Sequence, residues 1–208
     1  SNVHDWIGVL DFTRELNKLI KKGQSNTLDR RRAFANNVSD DIKKKHLLLV
    51  AGPKPNSLTR EIMYYSSVSS KLKYKFRIEN NQIKNEIECI KDGKTEIKRP
   101  KYRKINKKTM IKLDYGIISV IKNPYKEDRK IIIASGCYGW GTCATLRVLS
   151  NPKKLAELIE LIKKKSKGKI DITKIEFQVL VEVEVDKDGT AMEPMIIPDT
   201  FVKLDTRK

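Results

Sequence analysis

Two periods alternate along this chain. Helical spacing comes first: Trp6, Val9, Leu10, Leu16, Leu19 and Ile20 share one face of a helix over residues 5–22, which Gly23 closes. Residues 27–44 are polar and charged, and read as a second helix or a connector. Leu47-Leu-Leu-Val-Ala51 is then a short continuous apolar run, the pattern of a strand buried on both faces. It enters Gly52-Pro-Lys-Pro-Asn-Ser57 and a helix from Leu58 to Ser66. Asn56 or Ser57 caps that helix, and Glu61 lies where the helix dipole favours an acid.

Beyond residue 70 the period of two dominates. Tyr74 to Glu79 and Gln82 to Ile90 read as strands around Asn80-Asn81, and Asp92-Gly93 is a turn signal. Residues 94–112 read as an exposed loop or edge excursion. Asp114-Tyr115-Gly116 opens an apolar run from Ile117 to Ile121 that Asn123-Pro124 ends. A polar turn leads to a strand at 130–134, and the two runs predict an antiparallel hairpin. After Gly136, Gly139 and Gly141 comes a short helix from Thr142 to Leu149. Asn151-Pro152 ends it and starts another, striped by Leu155, Leu158, Ile159 and Ile162, with Lys163-Lys-Lys165 at its C-terminus. Ile175, Phe177, Val179, Val181, Val183 and Val185 alternate with Glu176, Gln178, Glu182 and Glu184 as a half-buried strand, and Asp188-Gly189 turns the chain into Thr190–Ile197. The pattern predicts an α/β fold, with a central mixed sheet, two Rossmann-like strand–loop–helix units and an antiparallel hairpin extension. Residues 1–45 form an N-terminal helical segment in this reading and 46–208 the α/β domain.

Charge changes the picture. Lys and Arg number 44 against 26 Asp and Glu, a net +18 over 208 residues. Such a field attracts nucleic acid or an anionic membrane face. The same composition also arises as a lysine-rich surface without any partner, as in thermophiles. No run reaches the roughly 18 apolar residues of a spanning helix. Ser1-Asn2 reads as a protease scar, so a membrane tether upstream of residue 1 is compatible with this chain, and the basic excess then puts the domain on the cytoplasmic side. Cys89, Cys137 and Cys143 have no framework spacing, which fits free thiols in a reducing, cytoplasmic compartment. His4 and His46 lie far apart, and no Cys/His spacing suits zinc, so neither metal nor cofactor is expected.

The strongest site candidate is Ile131-Ile-Ile-Ala-Ser-Gly-Cys-Tyr-Gly-Trp-Gly-Thr142, a strand, a glycine loop and a helix start. That order presents backbone N–H groups to an anion, often a phosphate. The loop is neither a Walker A motif nor the dinucleotide fingerprint, and Cys143 stands where a Cys-x5-Arg phosphatase needs arginine. Ser135, Thr142 and Cys143 offer further donors. Alternatively, the glycines serve only a tight turn and close helix packing. The 52–57 loop also joins a buried strand to a helix. If both loops share one sheet edge they bracket a crevice, with Lys54, Asn56 and Arg60 beside it. Asp114 suits a base, a ribose contact or a turn cap. Tyr138 and Trp140 suit base stacking or core packing. Cys137 is the one plausible nucleophile, without a base near it in sequence.

Two blocks carry a resemblance. Leu49-Val-Ala-Gly-Pro-Lys-Pro-Asn-Ser-Leu-Thr and Ile133-Ala-Ser-Gly-Cys-Tyr-Gly-Trp-Gly-Thr-Cys-Ala are similar to two blocks of the archaeal S-layer-like C-terminal domain family. The resemblance implies an α/β module and no catalytic residues. The chain departs from the family at Ala51, where a first glycine is usual, and in its basic charge.

The sequence therefore leads to a cytoplasmic, non-enzymatic ligand-binding or sensor domain for a phosphorylated or nucleotide-like anion. Its binding set is Lys54, Asn56, Arg60 and the backbone of Gly136, Gly139, Gly141 and Thr142. Gly141→Val is then expected to abolish binding while the domain still folds. A second reading is nucleic-acid binding through Lys98, Arg99, Lys101, Arg103, Lys104, Lys107 and Lys108, with Tyr102 among the cations. A surface-layer-like assembly role is the third.

Overall fold

A computed structural model describes residues 38–91, 94–166 and 174–204. The helix expected over 5–22, most of the 1–45 segment and the Asp92-Gly93 turn lie outside the described residues. In chain order the elements are α1 (Asp40–Lys43), β1 (Leu47–Val50), α2 (Ser57–Tyr64), α3 (Ser66–Ser69), β2 (Tyr74–Glu79), β3 (Gln82–Lys91) and β4 (Lys94–Lys98). Then come β5 (Lys101–Ile105), β6 (Lys108–Asn123), β7 (Lys126–Gly136), α4 (Gly139–Ser150), α5 (Pro152–Lys165), β8 (Phe177–Glu184), β9 (Met195–Ile196), a 3-10 turn (Pro198–Thr200) and β10 (Val202–Lys203).

The β-branched runs build the main sheet, as their stiff side chains suit a pleated surface. Its order is β1-β7-β6-β8-β10, with β5 added beside β6 and β9 beside β8. The expected hairpin is present, with Ile117 opposite Ser135 and Ile121 opposite Ile131. The sheet is mixed, but only β1 and β7 run parallel. β2, β3 and β4 make a separate antiparallel sheet. The molecule is thus mostly sheet, and its two strand–loop–helix units, β1–α2 and β7–α4, rest on that single parallel pair. One core cluster joins Leu49, Ile62, Ile131 and Ile133 to Phe76 and Ile87 of the small sheet. A second joins Ile118, Val179 and Val181 to Val148 and to Leu158 and Ile162 of α5.

Several expectations are corrected. β1 is an edge strand, and only Leu49 of its four residues is fully buried, because no strand pairs with its outer side among the described residues. The 58–66 helix is two pieces, α2 and α3, since Tyr65 takes an extended conformation between them. The helix after the glycine loop starts at Gly139, not Thr142. β8 is buried on both faces from Phe177 to Val181, with Gln178 at 0% exposure, because β2 packs over the side the alternation marks as polar there, while Glu184 stays exposed. Thr190–Ile197 contributes only the short β9 and an isolated bridge from Ala191 to Val185.

Residues 94–112 are an edge excursion rather than a loop: they form β4, β5 and the first part of β6, with β4 and β5 at sheet edges. β5 and β6 join through Asn106 and Lys107, both with positive φ (47° and 65°). That two-residue turn matches the twist of the strands it connects. Between Lys108 and Ile111, β5 is the only strand partner of β6 among the described residues. The hairpin therefore leaves the main sheet as a two-stranded ribbon.

Candidate functional site

Parallel pairing of β1 with β7 places Val50 opposite Ala134, so the two loops do emerge at one sheet edge. Between them lies a cleft of about 180 Å³. Ala51 to Pro55 form one wall, and Gly136 to Gly139 with Thr142 another. Phe76, Ile83, Lys84 and Asn85 of the small sheet form the third. Nothing in the local sequence signals that third wall, because it arrives from a hairpin in another sheet.

Two donors at the start of α4 are held by a buried carboxylate. Asp114 is 0% exposed, and its Oδ2 accepts the N–H of Gly141 at 2.7 Å and of Tyr138 at 3.2 Å. Its Oδ1 accepts the N–H of Tyr115 at 2.9 Å. The N–H of Thr142 donates to the Tyr138 carbonyl. A protein carboxylate thus fills the position at the helix N-terminus that the sequence pattern offers to a ligand. The N–H groups of Gly141 and Thr142 are thus satisfied within the chain, and Asp114 acts as a cap.

The glycines serve close packing. A Cβ on Gly141 would lie 2.1 Å from the Tyr115 carbonyl oxygen, and one on Gly136 would lie 2.2 Å from the Thr142 nitrogen. Both distances are far inside van der Waals contact, so the expectation that Gly141→Val folds normally is also corrected. Gly139 stays at the cleft wall.

Asn56 and Arg60 hold the other loop. Asn56 donates from Nδ2 to the Val50 carbonyl (2.9 Å) and accepts the Thr59 N–H on Oδ1 (3.1 Å). Arg60 donates from Nε to the Pro53 carbonyl (2.8 Å) and from Nη2 to that of Lys54 (2.9 Å). Their polar groups brace the turn, while the Lys54 side chain is exposed on its lip. Burial pushes the Cys137 thiol well above its ordinary range and the Cys89 thiol up to about 11, so both are protonated thiols at neutral pH, and Cys143 is buried in α4. Ser135 is buried, and its hydroxyl has no hydrogen-bond partner among the described residues. Among the described residues, no three His, Cys, Asp or Glu side chains converge as a metal cage, and no helix is long and apolar enough to cross a membrane.

The basic segment sorts into two groups. Lys98 pairs with Glu96 (2.6 Å), Arg99 pairs with Glu86 (3.1 Å), and Arg103 donates to the Val185 carbonyl (2.5 Å). Lys101, Lys104, Lys107 and Lys108 are exposed on the ribbon, as is Lys112 at its base. No acid occurs between Glu96 and Asp114 to neutralise them. The ribbon also carries Tyr102, 50% exposed, whose hydroxyl lies 2.9 Å from that of Tyr138. The two rings stand nearly perpendicular, with centroids 6.4 Å apart. Since Tyr138 lines the cleft, the basic segment and the glycine loop share one surface, a juxtaposition that no local pattern in the sequence signals. Trp140, the other aromatic of the loop, packs against the second core cluster.

Comparison of the chain with protein-family models, with curated proteins and with solved structures finds no match.

Proposed function

We propose that this chain is a non-catalytic polyanion-binding domain that engages nucleic acid through the β5–β6 ribbon. The observation that carries the reading is a projecting ribbon bearing Lys101, Lys104, Lys107 and Lys108, all exposed, with no acid along it. Lysines presented this way neutralise phosphates and release counterions, so affinity falls steeply with salt. Four such contacts give a slope of about −3 to −4 in a plot of log affinity against log salt. The test is fluorescence anisotropy with a labelled oligonucleotide between about 50 and 300 mM KCl. The triple variant Lys104→Glu/Lys107→Glu/Lys108→Glu should lose most of the binding, and its slope should flatten by about two to three. An unchanged slope removes the ribbon from the interface.

A phosphorylated small ligand in the cleft is the second reading, and the meeting of the two loops beneath Lys54 favours it. The cleft is smaller than the roughly 300 Å³ at which small-molecule sites begin, and the adjoining helix terminus already faces the Asp114 carboxylate. A thermal-shift series with nucleotides in about 0.3 M salt, which screens loose surface binding, decides this reading. A stabilisation of several degrees that disappears in Lys54→Ala supports it.

A further inference from the structure

The reading of the ribbon as a nucleic-acid surface leaves open which form of nucleic acid it takes, and Tyr102 bears on that choice. We infer that the ligand is a single strand and that one of its bases stacks on Tyr102 at the root of the ribbon, with the strand continuing over Tyr138 towards the cleft.

The Tyr102 ring is half exposed amid lysines. Its hydroxyl contact and its perpendicular packing on Tyr138 fix the ring against the loop after β7. A ring held this way loses little further freedom when a ligand arrives, so less of its contact energy goes into ordering it. Lys104 lies two residues along β5, about 7 Å away and on the same face of the strand. Past Tyr138, the cleft adds Lys54, Lys84 and Asn85 at its walls, with Lys84 shared by Glu79 at 3.5 Å. Cations therefore flank an anchored aromatic on both sides.

That arrangement distinguishes the forms of nucleic acid. In a duplex, base faces are stacked on one another and a surface tyrosine meets only sugars and phosphates. A single strand offers base faces, and stacking on an aromatic side chain combined with a basic track is how such strands are held without sequence preference. Lysines alone do not discriminate, since they see phosphate in either form. Discrimination must then come from Tyr102.

The experiment uses a labelled oligothymidylate of about 20 nucleotides, a duplex of equal length and heparin, each titrated with the wild type, Tyr102→Ala and Tyr102→Phe. The wild type should prefer the single strand. Tyr102→Ala should weaken single-strand binding about tenfold or more while leaving duplex and heparin binding and the salt slope unchanged. Tyr102→Phe keeps the ring and should stay within about threefold of the wild type. Because Tyr102 is on the surface, thermal melts of both variants should match the parent. Equal weakening of all three ligands by Tyr102→Ala, no weakening at all, or a wild-type preference for duplex overturns the inference and leaves the ribbon's role intact. Failure of the wild type to bind either nucleic acid at low salt overturns the functional reading on which it rests.

Discussion

Ala51 leaves β1 with φ at +80°, a region where an L residue's Cβ crowds its own backbone at a cost of about 1–2 kcal/mol. Glycine avoids that cost. The gain is partly offset because glycine frees the unfolded chain, by about 0.5–1 kcal/mol. Ala51→Gly should therefore raise stability by about 0.5–1 kcal/mol, seen as a higher urea midpoint at unchanged slope. Gly141 shows the opposite sensitivity. A methyl there meets the Tyr115 backbone at the point where Asp114 also receives the Gly141 N–H. Gly141→Ala should cost about 3 kcal/mol or more in the same melts, the upper range for overpacking. A near-neutral result would mean that α4 is not seated against β6. Local sequence shows both glycine loops but cannot show the Asp114 cap, whose amide partners Tyr138 and Gly141 lie 24 and 27 residues away.

At the scale of elements, one buried side chain hydrogen-bonds both sheets. Gln178 of β8 accepts the N–H groups of Lys73 and Tyr74 on Oε1, and donates from Nε2 to the Tyr74 carbonyl and the Ser119 hydroxyl. Gln178→Leu keeps the volume but strands the buried Tyr74 groups, at about 1–3 kcal/mol for each unsatisfied group. A loss of about 3 kcal/mol is expected, with β2 amides losing hydrogen-exchange protection ahead of β6 and β7. A second tie holds α1 and α2 to the β6–β7 turn, where Glu61 accepts from Lys43 at 2.8 Å and from the Tyr125 hydroxyl. The Lys43 and Tyr125 hydrogen bonds hold the Glu61 carboxyl below its ordinary 4.5. A depressed carboxyl contributes stability above its unfolded value, and that contribution disappears as pH falls through the folded one. The group is partly exposed, so the effect stays below about 1 kcal/mol. Glu61→Gln should melt lower than the parent near pH 7, and the gap should narrow as pH falls below the ordinary carboxyl value of 4.5. Legibility in the sequence divides along similar lines. The β6–β7 hairpin and α5 are readable because their apolar periods are uninterrupted. The ribbon is not, since alternation among Lys101, Arg103 and Ile105 is masked when nearly every position is a cation or polar. The alternation sends Gln178 to solvent because nothing in β8 announces that β2 will cover it.

For the whole molecule, a net +18 acts on folding and on binding with opposite dependence on salt. Mutual repulsion among the cations weakens the compact state, and added salt screens it. The protein alone should therefore melt higher as KCl rises from about 10 to 300 mM, a range over which the screening length falls from about 30 Å to below 10 Å. Ion pairs such as Arg99–Glu86 and Lys98–Glu96 pull the other way, but they lie at the surface, where each contributes little. With a polyanion bound, the order reverses: stabilisation is largest at low salt, where affinity is highest, and fades as the counterions compete. Melting curves taken with and without heparin across that series should converge at high salt. A free-protein melting point that falls with KCl would show that attractive pairs outweigh repulsion, and the lysines would then be acting as surface partners of the acids rather than as charge held in reserve for a polyanion.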